Sequence, residues 1–253
     1  MGKVVHIIPL ALEKDRFIEL FRQFPPHKVY FVKSKRNSEF AIRHPKEVKG
    51  LESVEKTLRD LLPLVEIPEP METNEENFFE TFTLLLEIML KERKMENEVI
   101  VSVVGGSRVL TCAAIFAASI SKCKAYYVVA DEYRPSDEYV LARGTIGDPV
   151  EIPIFPIRLP KNSEAQLLLY MLHRGAKVDE KLEFIVNKIG LERLGVKSVQ
   201  SGVVTLSKSW RKLQEDGFVS SEQKTKRRLK IELTETGKLM AHVIEIIEEV
   251  KNS

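Results

Sequence analysis

The sequence predicts an α/β chain in two parts: a mostly parallel sheet covered by helices, then a smaller α+β domain. Three observations predict this. Short apolar runs alternate with amphipathic stretches of helical length as far as Ala130. A proline-rich segment, PVEIPIFPIRLP over 149–160, breaks that alternation. Beyond it the apolar positions recur mainly at helical spacing and basic residues accumulate. Strands joined by helices imply right-handed crossovers, and strands lacking a polar side belong to a sheet with no wet face.

Each element of the first part follows from its own residues. Val4–Ile8 (VVHII) reads as a buried strand. In LEKDRFIELFRQF, Leu12, Phe17, Leu20, Phe21 and Phe24 share one helical face, and Pro25-Pro26 stops the helix. Val29–Val32 is the second strand. Val48, Leu51, Val54, Leu58 and Leu61–Leu62 define a helix, and Leu64–Ile67 reads as a brief third strand ended by Pro68. The acidic METNEEN stretch suits the N-terminus of a long helix over Asn77–Arg93. Strand Val99–Val104, a Gly-Gly-Ser turn, helix Val109–Ser121 and strand Ala125–Ala130 complete a β-α-β-α-β-α-β-α-β order. Four prolines make 149–160 an edge strand or connector, since proline removes ladder donors. The expected domains are therefore 1–148 and 161–253.

The second part begins with helix Ser163–His173, with Asn162 or Ser163 as its cap. Lys181–Leu194 is a second helix, bent or broken near Gly190. Val203, Leu206, Trp210 and Leu213 form one buried stripe on a third, which Asp216-Gly217 closes. Phe218-Val219 starts a strand, SSEQKTKRR is a hairpin tip, Leu229–Leu233 returns, and a last helix runs to Val250. Three helices, a two-stranded hairpin and a closing helix are the pattern of a winged helix-turn-helix. Between Arg193 and Lys230 ten Lys/Arg face three acids, a net +7, whereas residues 1–159 hold 22 basic and 24 acidic residues. The near-neutral total of +2 thus conceals a basic region of the kind that meets phosphate.

Composition excludes several classes. With 43% hydrophobic and 30% charged residues the chain is globular. Two cysteines, Cys112 and Cys123, make neither a disulfide framework nor a four-cysteine metal site, and free thiols fit a reducing, cytoplasmic compartment. The five histidines lie far apart, so no metal site is expected, and His6 inside an apolar strand reads as a satisfied core residue. Residues 99–120 are the most apolar stretch, but they read as strand, turn and helix rather than a membrane span. The opening MGKVVHIIPL reads as a strand, not a signal peptide.

Ligands of open α/β sheets bind beyond the carboxyl ends of the strands. There the sequence offers Pro9, Leu10 and Ala11 with Lys14, then Gly105, Gly106, Ser107 and Arg108, then Asp131. Glycines before a helix let an anion approach backbone N–H groups. Neither a G-x-G-x-x-G fingerprint nor a Walker loop is present, which argues against dinucleotides and nucleoside triphosphates. On the third helix of the second part, the buried stripe leaves Thr205, Lys208, Ser209 and Lys212 on the opposite face, with Ser201 near its start. These side chains suit base edges and flanking phosphates of duplex DNA, and Lys224, Lys226, Arg227 and Arg228 form a basic wing tip.

The segments VVHIIPLALEKDRFIELFRQFPPHKVYFV and VIVSVVGGSRVLTCAAIFAA, with the C-terminal helical domain, resemble archaeal CARF (CRISPR-associated Rossmann fold)/winged-helix regulators over nearly the whole chain. The resemblance implies a Rossmann-like sensing and dimerisation domain, a homodimer, and transcriptional control of CRISPR-associated loci. It also implies a cyclic oligoadenylate, often the tetra-adenylate, as regulatory ligand rather than cofactor. By position it carries over to Pro9–Ala11 and Gly105–Arg108, with Ser34 and Lys35 as further candidates. Leu10-Ala11 departs from the polar side chains that many relatives offer here. Two other readings compete. In one the protein is a ring nuclease using Ser107, Arg108 and Lys14 on the same ligand, although no side chain is an obvious general base. In the other it is a constitutive DNA-binding dimer without a small ligand.

Overall fold

The computed structural model describes residues 2–35, 45–74, 77–135, 140–155, 157–221 and 228–253. They form two compact units, Met1–Ile157 and Arg158–Ser253.

The first unit is built on a six-stranded sheet. Its strands are β1 (Val4–Pro9), β2 (Lys28–Ser34), β3 (Met71–Thr73), β4 (Glu98–Ser102), β5 (Lys124–Tyr127) and β8 (Val150–Ile152), in the order β3-β2-β1-β4-β5-β8. All neighbours are parallel except β8, which pairs antiparallel with β5 at the sheet edge. The helices are α1 (Lys14–Gln23), α2 (Pro45–Leu61), α3 (Phe78–Lys94) and α4 (Arg108–Ser121). Right-handed crossovers put α1 and α2 on one face and α3 and α4 on the other, and α3 packs along α4. The central strands are apolar along their length because both faces are covered: Val5, Ile7, Ile8 and Val101 are fully buried. On the α1 side, Phe17 and Leu20 meet Ile8, Phe31 and Leu58.

The third strand lies elsewhere than the sequence pattern suggests. Leu64–Ile67 forms only a single bridge, Lys28 to Glu66, and Leu64 is 98% exposed. The strand is Met71–Thr73, paired with Val32–Ser34. A lone inward residue explains why its acidic sequence hid it: Thr73 is buried and its Oγ1 lies 2.9 Å from Thr81 Oγ1 on α3. A hairpin not expected from the sequence pattern, β6 (Glu132–Pro135) with β7 (Val140–Arg143), forms a two-stranded ribbon outside the main sheet.

A closed polar network ties the amino ends of the strands together. Glu92, 1% exposed at the end of α3, accepts from Tyr30 Oη at 2.6 Å and Asn97 Nδ2 at 2.6 Å and pairs with Lys28 Nζ at 3.0 Å. Burial opposes the Glu92 charge, yet these donors together hold its carboxyl below the usual range. Lys28 also meets Glu66 at 3.0 Å, and the Lys3 N–H donates to Asn97 Oδ1 at 2.9 Å.

The second unit contains α5 (Asn162–His173), β9 (Lys177–Lys181), α6 (Leu182–Ile189), α7 (Leu191–Leu194), α8 (Val199–Glu215), β10 (Val219–Ser221), β11 (Arg228–Leu233) and α9 (Glu235–Asn252). The sheet is antiparallel in the order β10-β11-β9. Strand β9 is a third strand beyond the predicted hairpin, concealed because KVDEK carries one apolar residue, Val178, which pairs with Ile231. Neither Asn162 nor Ser163 caps α5. Lys161 is the cap residue, with its N–H donating to Glu164 Oε2 at 3.2 Å. Ser163 Oγ is instead 2.8 Å from Ser209 Oγ. The break at Gly190 follows from its φ of 95°, a conformation side chains resist. Leu206, Trp210 and Leu213 form the buried stripe of α8.

Candidate functional site

At the carboxyl edge of the first sheet, two turns meet. Gly105 makes the approach possible: a Cβ there would stand 2.5 Å from Ala11 Cβ and 2.9 Å from the Pro9 carbonyl oxygen. Gly106 follows at φ +79°. Ser107 then caps α4, its Oγ accepting from the Leu110 N–H at 3.1 Å. That leaves the Arg108 and Val109 N–H groups without an intrahelical acceptor, at the positive end of a fourteen-residue helix. Arg108 and Lys14 are exposed, and neither side chain is in an ion pair among the described residues. Exposed cations beside unpaired backbone donors at a helix N-terminus are suited to an anion.

The other predicted residues divide. Pro9 is buried at the end of β1 and Ala11 is half-buried against Gly105. Leu10 has its side chain in the core, 6% exposed, and its N–H donates to the Val32 carbonyl at 2.9 Å, so neither of these groups faces a ligand. Ser34 is half-buried at the end of β2, and Lys35 Nζ is committed to Glu80 at 2.7 Å. Asp131 is exposed, next to Gly144 at the root of the ribbon.

Two buried residues, His6 and Arg16, carry unspent polarity. His6 lies wholly inside the sheet, edge-on to Phe21, and neither ring nitrogen has a hydrogen-bond partner. It is a core histidine, but not a satisfied one. Burial lowers its pKa to about 4, with the backbone of Phe24 offsetting only part of the effect. Arg16 is 4% exposed, and its Nη2 is likewise unpartnered. Helical spacing marks Arg16 as neither core nor site, so no pattern in the sequence exposes it. Cys123 is buried, which pushes its thiol up to about 11, while Cys112 is exposed on α4.

In the second unit, Ser198 and Ser201 cap α8 reciprocally: the Ser198 N–H donates to Ser201 Oγ at 3.1 Å, and the Ser201 N–H donates to Ser198 Oγ at 3.2 Å. Lys208 is exposed and unpaired among the described residues; Thr205 is half-buried. Ser209 must be removed from the open face, because it is 4% exposed and donates to the Thr205 carbonyl at 3.0 Å. Its small size lets the polar side sit in the packing against α5. Lys212 is tethered to Asp216 at 2.9 Å. Arg193 and Lys197, just before α8, add cations with no ion pair among the described residues. Lys224, Lys226 and Arg227 lie outside the described residues, and Arg228 is placed only as the first residue of β11. No described helix is long and apolar enough to cross a membrane.

A family model described as HFX_2341_N:-like, N-terminal, matches residues 4–133, just over half of the chain and most of the first unit. The chain belongs to this family. No curated protein matches it. Among solved structures it is similar to Can2 from Sulfobacillus thermosulfidooxidans, solved with cyclic tetra-adenylate, at 12% identity and a TM-score of 0.38, covering 98% of this chain and 64% of Can2. Csm6 from Enterococcus italicus, bound to cyclic hexa-2′-fluoro-hexa-dAMP, gives 14% identity and a TM-score of 0.44, covering 86% of this chain and 56% of Csm6. F-93 of SSV1 gives 22% identity and a TM-score of 0.26, covering 39% of this chain and 92% of F-93. The chain thus spans less than two thirds of the length of Can2 and of Csm6. Likenesses this distant decide neither a ligand nor an activity.

Proposed function

We propose that the protein is a dimeric DNA-binding regulator of CRISPR-associated loci, responsive to a cyclic oligoadenylate, the tetra-adenylate first. The observation that carries this reading is the meeting of two turns at the carboxyl edge of β1 and β4. There the free N–H groups of α4 adjoin exposed Arg108, and exposed Lys14 opens α1 just after Ala11, which meets Gly105. A cyclic oligonucleotide presents several phosphates with rotational symmetry, which matches one such edge repeated across a two-fold axis. The reader is the winged helix-turn-helix, with α8 as recognition helix: Ser201, Thr205 and Lys208 serve its groove, and the basic segment 224–228 serves the neighbouring backbone. Ligand binding controls DNA affinity to the extent that it favours one arrangement of the two readers.

The test is a gel shift on the protein's own upstream DNA with and without a panel of cyclic oligoadenylates, alongside incubation with labelled cyclic tetra-adenylate. A sensor retains the ligand intact and changes its DNA affinity. The Arg108→Ala variant weakens that retention at least tenfold while leaving DNA binding in place. Cleaved product would make the protein a ring nuclease instead. DNA binding indifferent to every ligand would make the first unit a scaffold.

A further inference from the structure

The ribbon of β6 and β7 leaves the sheet directly after β5 and joins the ladder of no other described strand. An isolated two-stranded ribbon has little stability of its own, so whatever fixes its root fixes its position. The root is closed by the Ile146 N–H donating to the Val129 carbonyl at 3.1 Å, and it is also held from the first turn of α1, which is the turn that follows Pro9–Ala11. Asp15 Oδ2 accepts from the Gly144 N–H at 3.1 Å, a contact spanning 129 residues. Gly144 stands there at φ +61°, closing the ribbon against Asp131. One residue on, Arg16 Nε donates to the Val128 carbonyl at 2.6 Å, and its guanidinium lies 4.6 Å over the Tyr127 ring. Tyr127 in turn interacts with the Tyr133 phenol on β6 and raises its pKa.

Arg16 is an expensive way to make these contacts. A buried guanidinium with an unmatched Nη2, paired at 3.8 Å with Glu13, is poorer for stability than a well-packed apolar side chain. Its presence is better explained by where it holds the chain than by how much it stabilises it.

We propose that Asp15 and Arg16 are positioning residues that clamp the root of the β6–β7 ribbon to the first turn of α1, so that occupancy of the adjoining anion site is transmitted to the ribbon. The transmission rests on the ligand reading above; the clamp does not. Neither residue touches the ligand. Their effect passes through Gly144 and Val128.

Amide hydrogen exchange on the full chain tests both parts, using wild type, Asp15→Ala and Asp15→Asn, each with and without cyclic tetra-adenylate. Without ligand, Asp15→Ala accelerates exchange at Gly144 at least tenfold, while β1 and β4 amides keep their protection. Asp15→Asn, which retains a side-chain acceptor, restores Gly144 to within threefold of wild type. A general loss of packing would instead move β1 and β4 together with Gly144 and would not be rescued by Asn. Arg16→Lys, which keeps the charge but loses the Nε donor and the planar stack, accelerates exchange at Tyr133 in the same way. With ligand, wild type gains protection both at Arg108–Leu110 and at Tyr133 and Gly144, and Asp15→Ala gains it only at Arg108–Leu110. Unchanged Gly144 exchange in Asp15→Ala overturns the clamp. Ribbon protection by ligand that survives in Asp15→Ala overturns the transmission. No ligand protection anywhere in wild type removes the sensor reading and the transmission with it, while the Ala and Asn comparison still decides the clamp.

Discussion

Acidification acts on the first unit through His6. The imidazole is 0% exposed, neither nitrogen has a partner, and its pKa falls from 6.5 to about 4 in the folded chain. The unfolded chain therefore binds the proton more readily than the folded one. Stability is complete above pH 6.5 and declines as pH falls toward 4, where the folded form also protonates and the loss levels off. A shift of that size corresponds to about 3 kcal/mol over the whole window, and to about 2 kcal/mol between pH 7.5 and 5.0. The perturbation is His6→Leu, which removes the titration and an unmatched polar group while keeping apolar contact with Phe21. Urea unfolding read by exchange of β1 and β4 amides should show a pH 7.5 to 5.0 loss about 2 kcal/mol larger in wild type than in the variant. At pH 7.5 the variant should match or exceed wild type. The single tryptophan, Trp210, belongs to the second unit, so its fluorescence transition is an internal control that His6 should not move. Equal pH slopes in the two proteins would refute the argument, because an unpartnered buried imidazole could not then be opposing its own protonation.

Glu92→Ala leaves Lys28 and Tyr30 without their shared buried acceptor, and should lower first-unit stability by about 3–5 kcal/mol in urea unfolding near pH 7. Because the Glu92 carboxyl is held below its ordinary value, its contribution is present above pH 4.5 and is lost as pH falls through that lowered value, beneath most of the His6 window. On α8 the exposed and buried polar residues should separate. Lys208→Glu should reduce DNA retention in a gel shift at least tenfold with little change in the Trp210 transition. Ser209→Ala, which breaks the bonds to Ser163 and Thr205, should instead cost about 1 kcal/mol of second-unit stability and leave DNA retention intact.

Periodicity works where a residue's side is decided by its neighbours in sequence. The apolar runs at Val4–Ile8 and Val99–Val104, and the stripe Leu206, Trp210, Leu213, announce a two-faced sheet and a buried helix face because repeating spacing carries the information. The Gly-Gly-Ser turn before α4 was legible for the same reason: glycine before a helical pattern marks a turn and a free helix N-terminus. Short strands with a single inward residue carry no period, so Met71–Thr73 and Lys177–Lys181 were invisible until Thr73 met Thr81 and Val178 met Ile231. The face of a helix also admits exceptions that spacing cannot see. Ser209 occupies a position that reads as open, and only the approach of Ser163 from another helix encloses it.

The sequence by itself therefore determined the alternation of strands and helices, the change of grammar near residue 160, the basic character of the second part and the glycine turn at the sheet edge. All of these are written in the order of neighbouring residues. Tertiary structure decided which polar groups are enclosed and which are matched: Glu92 is satisfied by three donors, His6 by none, and Asp15 reaches Gly144 across 129 positions. The physical reason is that burial and hydrogen bonding depend on separation in space, and a parallel sheet brings together segments that no local spacing relates.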